Sequence, residues 1–430
     1  MTRAALSGSR PEDGSGMELA ARPTGTPERV VLLHDFSQAL GGASFLVQEL
    51  IAGLRARDIP VTFIAGDDGA NFNRTDVEFV PLHGKALLDR SKIGAFTTGF
   101  YNPGAEARIS AWIEANDTPA TVYHLHGWCK ILTPSVFKAL RSVSDRLILH
   151  GHDYFNGCPN GAFFNYVTEA DCPLVPLSGS CLACQCDKTS YMQKLWRSGR
   201  EALRRGLSQG GTGANRLLMI HPGQEPNFRL AGWPHDKLHA LPNPVTPPVA
   251  DRIRAERNQG VLFIGRISAE KGADLAAAAC QEAGVPLTLV GDGAEMDRVR
   301  QINPDATLLG RLDRAGVAQA LAGARLTVMP SRWSEPFGLV ALEAIGSGVP
   351  AIVSDRALVG PQIAQAGFGL ALDTANVATF AAAISALSHD DATVEQMSRA
   401  GHARYRELCN SQASWTDQIV AHYRAVCQPR

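Results

Sequence analysis

One pattern recurs along two stretches of the chain: a short apolar run ends in glycine or a polar residue, and a segment with helical periodicity follows. The pattern runs from about residue 28 to 245 and again from 258 to about 405, and the proline-rich segment 241–248 separates the two stretches. Strands that alternate with helices favour parallel sheets covered by helices. The sequence therefore predicts an α/β protein with two doubly wound domains and a candidate hinge between them.

Composition agrees with such a protein. The 430 residues are enough for two domains, and 45% hydrophobic residues can fill two cores. The net charge of −1 argues against a nucleic-acid partner. No apolar run reaches the roughly 18 residues that a membrane span needs. Residues 1–28 are rich in glycine, proline and serine and lack the apolar core of a signal peptide, so we expect them to be disordered and the protein to be cytoplasmic.

Charged side chains follow the strand predicted over 261–264. Gly265, Arg266 and Lys271 lie between this strand and the next predicted helix. In open α/β sheets, ligands bind at the carboxyl ends of the strands. A guanidinium holds phosphate oxygens through two hydrogen bonds and an ammonium acts as a point charge, so both would stabilise a departing diphosphate.

A second set follows the strand predicted over 326–329. A helix is predicted to begin between Glu335 and Leu339, with Gly338 at its start and Glu343 inside it. The first N–H groups of a helix have no partner, and a glycine lets an anion approach them closely. Eight residues of helix would rise about 12 Å, which exceeds the roughly 5–9.5 Å between paired glycosidase carboxyls. We therefore expect Glu335 and Glu343 to have different roles.

The first stretch carries its own polar strand ends. Gly41 and Gly42 follow the strand predicted over 30–34 and could expose backbone N–H groups to an anion. His124 and His126 end another strand, and because residues two apart in a strand point the same way, they are predicted to share a face. His152 ends the strand after that and is followed by an acidic and two aromatic residues.

Together these motifs resemble retaining glycosyltransferases of family 4. The segment 265–272 is similar to the family's G-R-x4-K-G pattern, and Glu335 and Glu343 match its E-x7-E signature 64 residues later. Similar segments at 289–293, 329–331 and 346–353 follow in the family's order. The resemblance implies the GT-B fold, in which two Rossmann-like domains face each other across a cleft. It also implies transfer of a sugar from a nucleotide-diphosphate donor with retention of configuration.

The resemblance further implies roles for individual residues. Catalysis would involve His126, Arg266, Lys271 and Glu335, with Glu335 at the sugar hydroxyls and Glu343 at the ribose. The donor-binding residues that it implies are Gly41, Gly42, Gly265, Arg266, Lys271, Gly291, Arg311, Glu335, Phe337, Gly338, Leu339 and Glu343. Transfer would need no cofactor or metal. The acceptor would be a carbohydrate or a polyprenyl-diphosphate-linked sugar, as in bacterial polysaccharide or glycoconjugate synthesis.

The resemblance also divides the chain. Residues 29–245 would form the acceptor domain, joined by a terminal helix over 412–430, and residues 246–411 would form the donor domain. One departure affects the edge of the donor pocket, since the chain reads Leu358-Val359-Gly360-Pro361-Gln362 where many relatives have a Gly-Gly-x-x-Glu turn. A nucleotide-sugar epimerase or a non-catalytic sugar-binding protein could share this architecture. The filled Arg, Lys and double-Glu positions favour the transferase.

An insertion over 156–190 contains five of the nine cysteines. They are Cys158, Cys172, Cys181, Cys184 and Cys186. The segment is rich in proline and glycine and has no regular periodicity, so it needs a cross-link. Structural zinc, free thiols and disulfides all stay open, although a reducing cytoplasm favours zinc over disulfides. We expect the insertion to lie on the acceptor side, away from the phosphate motifs of the second domain.

A basic stretch follows the insertion. Its residues are Lys188, Lys194, Arg197, Arg200, Arg204 and Arg205, with Tyr191, Leu195 and Trp196 interleaved. Such a helix could lie on an anionic membrane surface at the inner face of the plasma membrane. The alternative is an ordinary helix whose charges face solvent.

Overall fold

A computed structural model describes residues 25–39, 41–70, 72–89, 91–208 and 212–427. Most of the segment 1–28, for which we predicted disorder, lies outside the described residues. Of the helices in the described part of the chain, none combines the length and the apolar character that crossing a membrane requires.

The first half of the chain builds a seven-stranded sheet and a small hairpin. In chain order the strands are β1 (Arg29–His34), β2 (Val61–Ala65), β3 (Glu78–Pro81), β4 (Thr121–Leu125), β5 (Leu147–Gly151), β6 (Phe164–Asn165), β7 (Ala170–Asp171), β8 (Arg216–Met219) and β9 (Leu238–Ala240). The sheet order is β3-β2-β1-β4-β5-β8-β9, and all its pairs are parallel. β6 and β7 pair antiparallel outside the sheet, within the cysteine-rich insertion.

The second half builds a six-stranded sheet. Its strands are β10 (Gly260–Ile264), β11 (Leu287–Val290), β12 (Thr307–Leu308), β13 (Ala324–Met329), β14 (Ala351–Ser354) and β15 (Gly369–Leu372). They lie in the order β12-β11-β10-β13-β14-β15, again parallel throughout. Parallel strands place all their carboxyl ends at one edge, so the loops after β10, β11 and β13 meet there.

Helices connect and cover both sheets. In chain order they are α1 (Gly42–Arg55), α2 (Lys92–Phe100), α3 (Pro103–Asn116), α4 (Ser135–Ala139), α5 (Gly179–Ala183), α6 (Tyr191–Leu207), α7 (Glu225–Leu230), α8 (Ala273–Ala283), α9 (Met296–Ile302), α10 (Arg314–Ala322), α11 (Leu339–Gly346), α12 (Gly360–Ala366), α13 (Val377–His389), α14 (Asp391–Arg404) and α15 (Gln412–Cys427).

The last helix returns to the first sheet. Trp415, Ile419 and Tyr423 of α15 are fully buried in a core that also contains residues of β1, β2 and α1. Their spacing is that of one helix face, which the sequence pattern predicted. The core beside the first sheet is therefore completed by residues from the far end of the chain.

Candidate active site

Lys271 and Glu335 form the centre of the second-domain site. They lie 64 residues apart in sequence, yet Lys271 Nζ donates a hydrogen bond to Glu335 Oε2 at 2.5 Å. Ser331 Oγ donates to the same oxygen at 3.3 Å, and the ring of Trp333 lies 5.6 Å from the ammonium. Both charged side chains are only partly exposed. The pair joins the loop after β10 to the loop after β13 and places opposite charges at one point of the sheet edge.

Arg266 lies at the open side of this loop. Its side chain is 69% exposed, and Nη1 is 3.6 Å from Glu270 Oε1. Arg311 is similarly exposed and pairs with Asp292, which adjoins Gly291, at 2.7 Å. Neither guanidinium is buried by its partner, so both can contact an anion at this edge without being uncovered first.

Tight backbone contacts hold the loops after β10 and β11 together. Gly291 has φ 138°, and a Cβ at this position would lie 1.9 Å from the Gly265 carbonyl oxygen. Its N–H donates to Gly310 O at 2.8 Å, and the Gly265 N–H donates to Val290 O at 2.9 Å. A side chain at Gly291 would separate the loops, so glycine is required there by both φ and space.

Helix α11 begins at Leu339, directly after Gly338. Gly338 has φ 70°, and a Cβ there would lie 2.9 Å from Val359 Cγ1. Phe337 is buried in a core of the second domain and Leu339 packs against that core. The helix start was predicted between Glu335 and Leu339. Glu335 itself lies before the helix, so the expected 12 Å helical rise between Glu335 and Glu343 is wrong as a measure of their separation.

Glu343 lies on α11 and has an unusual ionisation. Burial raises its pKa to about 7, while Arg314, with Nη1 at 4.0 Å, opposes that rise. Ordinary glutamate pKa values lie near 4.3. Glu343 therefore titrates near neutral pH, and among the described residues Arg314, which also donates to the Thr246 carbonyl in the linker, is the cation nearest to it.

Gly41 and Gly42 start helix α1 in the first domain. Gly41 is its N-cap, its N–H donates to Ser44 Oγ at 3.0 Å, and no atom lies within 4 Å of a Cβ built on either glycine. The space over this turn is open. Among the described residues, no hydrogen bond, ion pair or ring contact links Gly41, Gly42 or His126 to the second-domain set.

Four histidines at the ends of β4 and β5 form a stacked cluster. The rings of His124 and His126 are 4.0 Å apart, so they share a face as predicted, and the rings of His150 and His152 are stacked at 4.2 Å. His126 Nδ1 lies 3.1 Å from His152 Nε2, and His124 Nδ1 lies 2.7 Å from the hydroxyl of Tyr423.

The ionisation of this cluster follows from its burial. Burial and the neighbouring imidazoles hold the pKa values of His124, His126 and His152 well below the usual range, and burial lowers the pKa of His150 to about 3. At neutral pH the imidazoles are therefore uncharged and act as hydrogen-bonding groups. Ring nitrogens of His124, His126 and His150 also lie within 4.8 Å of one another, a spacing that could hold a metal ion.

Several residues near these loops were missed by the sequence reasoning. The buried carboxylate of Asp35 accepts the backbone N–H groups of residues 130–132 at 2.8 to 2.9 Å and so fixes the loop after His126. Arg332 holds Asp274 through two hydrogen bonds of 2.7 and 2.8 Å. Asp35 directly follows β1, and Arg332 lies three residues after β13. A position just after a strand is the one sequence signal that could have identified these two residues.

The cysteine-rich insertion reaches the second domain, and the expectation that it lies away from the phosphate motifs is wrong. Lys188 Nζ contacts Glu270 Oε1 at 2.7 Å, next to Lys271. Ser334 Oγ, next to Glu335, donates to Asp171 Oδ1 at 2.7 Å. Asp171, in the middle of the insertion, and Lys188, near its end, meet complementary groups across the cleft, which sequence periodicity does not reveal. All nine cysteines are free thiols, so the disulfide alternative is not present in this structure.

The basic stretch mostly lies on α6, and neither proposed orientation of its charges is found there. Lys194, Arg200 and Arg204 are buried, with Arg204 paired to Glu201 at 2.7 Å and Arg200 placed 4.8 Å from the ring of Trp196. Arg197 pairs with Asp187 and Arg205 with Glu201. The exposed face instead carries Tyr191, Met192 and Leu195. Buried carboxylates, thiols and aromatic rings receive the cations, so this helix is basic inside and apolar outside.

Gln362, the departure at the donor-pocket edge, contacts the first domain. Its Oε1 lies 3.0 Å from His221 Nε2. A neutral amide suits this partner, because burial lowers the pKa of His221 and leaves its imidazole uncharged. Gln362, which departs from the family pattern, thus forms a contact between the two halves of the chain.

Known proteins of similar sequence cover parts of this chain. Residues 251–404 match the family described as glycosyl transferases group 1. A glycogen synthase of Mycobacterium tuberculosis is 26% identical over 66% of this chain, and the match spans 64% of that relative's length. A GDP-mannose-dependent alpha-mannosyltransferase of Mycolicibacterium smegmatis is 31% identical over 39% of this chain and 43% of its own.

Solved structures extend the similarity to almost the whole chain. Sucrose-phosphate synthase of Thermosynechococcus elongatus superposes with a TM-score of 0.69 at 18% identity, covering 93% of this chain and 99% of the other. HepE of Anabaena, solved in complex with UDP and glucose, gives a TM-score of 0.63 at 16% identity, with 93% and 100% coverage. The chain has the GT-B fold, with two Rossmann-like domains as the motifs predicted, and its residues 251–404 are similar to the glycosyl transferases group 1 family.

Proposed function

We propose that the protein is a retaining glycosyltransferase. It moves a sugar from a nucleotide-diphosphate donor to a carbohydrate or lipid-linked acceptor in bacterial polysaccharide or glycoconjugate synthesis. The observation that carries the proposal is the Lys271–Glu335 pair at 2.5 Å, formed between two loops at the carboxyl edge of the second sheet. A cation for a diphosphate and a carboxylate for sugar hydroxyls thus stand side by side where open α/β sheets bind ligands.

The residues around this pair have separate roles in binding the donor and in stabilising the leaving group. Arg266 and Lys271 neutralise the diphosphate as it departs, and the N–H groups at Gly338 and Leu339 donate to its oxygens. Glu343 accepts hydrogen bonds from the ribose, and Glu335 accepts them from the transferred sugar. Gly41 and Gly42 approach the donor phosphates from the first domain, where His126 adjoins the sugar and the acceptor.

No enzyme nucleophile or catalytic metal enters this scheme. The acceptor hydroxyl attacks the face from which the diphosphate leaves, the new C–O bond forms as the donor C–O bond breaks, and a donor phosphate oxygen takes the hydroxyl proton.

Contact with a membrane would not depend on the basic stretch. Its six cations are engaged within the protein, whereas Met192 of α6 is 73% exposed. We propose that a lipid-linked acceptor would approach an apolar face formed by Tyr191, Met192 and Leu195. Vesicle binding that persists at high salt supports this face, and binding abolished by salt contradicts it.

The test of function is a two-step ligand screen. Nucleoside diphosphates, including UDP and GDP, are first tested for a rise in the melting temperature, since a ligand that binds only the folded state stabilises it by mass action. The matching nucleotide sugars are then incubated with candidate acceptors, and the anomeric configuration of the product is read by NMR. A product of inverted configuration contradicts retention, and isomerisation of the donor without acceptor would identify an epimerase. Binding without turnover across the acceptors would favour a sugar-binding protein.

A further inference from the structure

Glu270, which directly precedes Lys271, receives two cations on one carboxylate oxygen. Lys188 Nζ donates a hydrogen bond to its Oε1 at 2.7 Å, and Arg266 Nη1 lies 3.6 Å from the same atom. Lys188 belongs to the cysteine-rich insertion, whereas Arg266 belongs to the loop after β10. The carboxylate is therefore closely paired with a cation from the first half of the chain and only loosely paired with the guanidinium proposed to bind the diphosphate.

The carboxylate of Glu270 is charged and held in place. Its side chain is 14% exposed, and burial alone would raise its pKa, but the hydrogen bond from Lys188 keeps that pKa below the ordinary value. The carbonyl of Glu270 accepts the backbone N–H of Arg332 at 3.0 Å, and Arg332 Nη1 donates to the carbonyl of Ala269 at 2.6 Å. Because the carboxylate stays ionised in a fixed loop, it needs a cation beside it.

Lys188 is positioned from the first-domain side. The residue before it, Asp187, is buried and pairs with Arg197 of α6 at 3.0 Å. The ring of Tyr166 lies 4.6 Å from Lys188 Nζ, and the Tyr166 N–H donates to the carbonyl of Cys186 at 3.4 Å. The ammonium therefore reaches Glu270 from the insertion and α6, and it does so only while the insertion contacts the second half of the chain.

We propose that Lys188 is a positioning residue for Arg266: it pairs with Glu270 and so leaves the Arg266 guanidinium available to the departing diphosphate. This inference rests on the proposed transferase function. Within the part of the chain that the structure describes, Lys188 and Arg266 are the cations that lie within ion-pair distance of the Glu270 carboxylate. If Lys188 were absent, Glu270 would draw Arg266 into a close pair, because a guanidinium binds a carboxylate through two parallel hydrogen bonds. The diphosphate would then compete with Glu270 for the same guanidinium.

Asp171 provides a comparison within the same insertion. It also reaches the second half of the chain, through the hydrogen bond from Ser334 Oγ, but among the described residues no hydrogen bond or ion pair joins it to Glu270 or Arg266. Asp171 and Lys188 both hold the insertion against the donor loops, and of the two only Lys188 pairs with Glu270. A purely mechanical role would make the two residues equivalent, whereas the proposed role makes the effect of Lys188 depend on the charge of Glu270.

Nucleoside-diphosphate affinity tests this dependence. UDP and GDP are titrated into the protein by calorimetry, and Lys188→Met should weaken binding by about threefold to fivefold, as expected when one partly exposed ion pair must be broken. Lys188→Met combined with Glu270→Gln should regain most of the loss, because a neutral amide no longer holds Arg266. Lys188→Arg should bind like wild type, and adding Glu270→Gln to Asp171→Ala should change the affinity little. Wild-type affinity in Lys188→Met, or no recovery in its double variant, would overturn the proposal.

A measurement without nucleotide separates this inference from the function on which it rests. The rate at which an arginine-specific dicarbonyl reagent modifies Arg266 is followed by peptide mass spectrometry. The rate should fall by about threefold to fivefold in Lys188→Met, because a paired guanidinium is less available, and it should return to the wild-type value when Glu270→Gln is added. Asp171→Ala should leave the rate unchanged. Equal rates in wild type and Lys188→Met would contradict the role of Lys188 alone, whereas a wild-type protein that binds neither UDP nor GDP would contradict the proposed function.

Discussion

At the scale of single residues, the proposed mechanism depends on where positive charge meets the leaving diphosphate. The hydrogen bond to Glu335 holds the ammonium of Lys271 beside the space in which a phosphate would lie. The ammonium is therefore already oriented before the donor binds. Arg266 is free to turn toward the same point. Preorganised charge of this kind acts chiefly as the diphosphate leaves, when negative charge accumulates on its oxygens.

The first prediction concerns these two cations. Arg266→Ala and Lys271→Ala should each lower turnover at least 100-fold, in line with about 3 kcal/mol for one preorganised donor. Steady-state kinetics with the natural donor provide the measurement. Lys138→Ala, which removes a surface cation of the first domain, should leave turnover unchanged. Activity within threefold of wild type in either site variant would remove that residue from the mechanism.

The second prediction separates the two glutamates by pH. Because the pKa of Glu343 is about 7, the carboxylate that accepts ribose hydrogen bonds becomes populated as pH rises from 6 to 8, and nucleoside-diphosphate affinity should rise with it by up to roughly tenfold. Glu343→Gln should bind more weakly at pH 8 and lose this pH dependence. Glu335→Gln should lower turnover more than affinity.

Calorimetry at three pH values makes the comparison. The phosphate groups of the ligand titrate near pH 6 in every case, and Glu335→Gln serves as the matched control for their contribution. A Glu343→Gln variant with wild-type affinity and pH profile would contradict the ribose assignment.

At this scale the sequence predicted which residues stand at the sheet edge but not how they pair. Lys271 and Glu335 were each placed after their own predicted strand, at the carboxyl edge where open α/β sheets bind ligands. Their direct hydrogen bond, the anchoring of the loop by Asp35 and the neutral-pH titration of Glu343 depend on local packing. A residue's position in the sequence carries no information about such burial.

At the scale of elements, the histidine cluster connects β4 and β5 to α15. Tyr423 of α15 bonds His124, and the ring of Trp415 lies 6.0 Å from that of His150. Helix α15 thus packs against uncharged imidazoles. A proton on any of them would introduce a buried charge at this contact.

The third prediction is a loss of stability in mild acid. Histidines in the unfolded chain take up protons below pH 6.5, whereas the buried imidazoles have lowered pKa values and stay neutral. The unfolded state then binds more protons, so the free energy of unfolding falls as pH drops from 6.5 toward 3, by at most about 1.4 kcal/mol per pH unit for each histidine. Urea denaturation at pH 7.5, 6.5 and 5.5 measures this slope.

His150→Asn supplies the comparison, because it removes one of the titrating groups. The variant should take up about one proton fewer than wild type when it unfolds, so its free energy of unfolding should depend less steeply on pH. This holds even if the variant is less stable than wild type at pH 7.5. A wild-type slope that is flat between pH 6.5 and 5.5 would show that the cluster is already protonated or accessible to water.

Helix α6 marks the limit of sequence reasoning about elements. Its existence and its apolar and basic faces follow from its periodicity. Which face turns inward does not, because Lys194 and Arg204 find buried sulfur and carboxylate partners that come from elsewhere in the chain. The bounds of most strands, by contrast, agree with the apolar runs that predicted them, as for β10 and β13.

At the scale of the whole molecule, the insertion acts as a set of contacts across the cleft. Besides Lys188 and Asp171, Glu169 reaches Arg332 at 3.2 Å, and its carbonyl accepts a hydrogen bond from Arg356 at 2.6 Å. These contacts are polar and partly exposed. They can therefore break and form as the two domains move.

The fourth prediction is that these contacts favour a closed cleft. Each partly exposed contact contributes about 0.5–1 kcal/mol, so Asp171→Ala combined with Lys188→Met should shift the ratio of closed to open molecules by roughly tenfold. Small-angle scattering should then give a larger radius of gyration than for wild type. Lys138→Met, which breaks the Lys138–Glu106 pair within the first domain, should not change it. Identical scattering of all three proteins would show that the insertion does not hold the cleft.

The return of α15 to the first sheet also sets the order in which this chain can mature on the ribosome. The strands of the first sheet are complete once Ala240 has been made, but Trp415, Ile419 and Tyr423, which close one of its two faces, come last. At about 5–20 residues per second, the roughly 190 residues in between take on the order of 10 to 40 s to synthesise. For that time an apolar face of the nascent first domain stays uncovered. Fragments that end at the proline-rich segment would keep it uncovered permanently, so the first domain cannot be produced as one continuous piece of the sequence with its core intact.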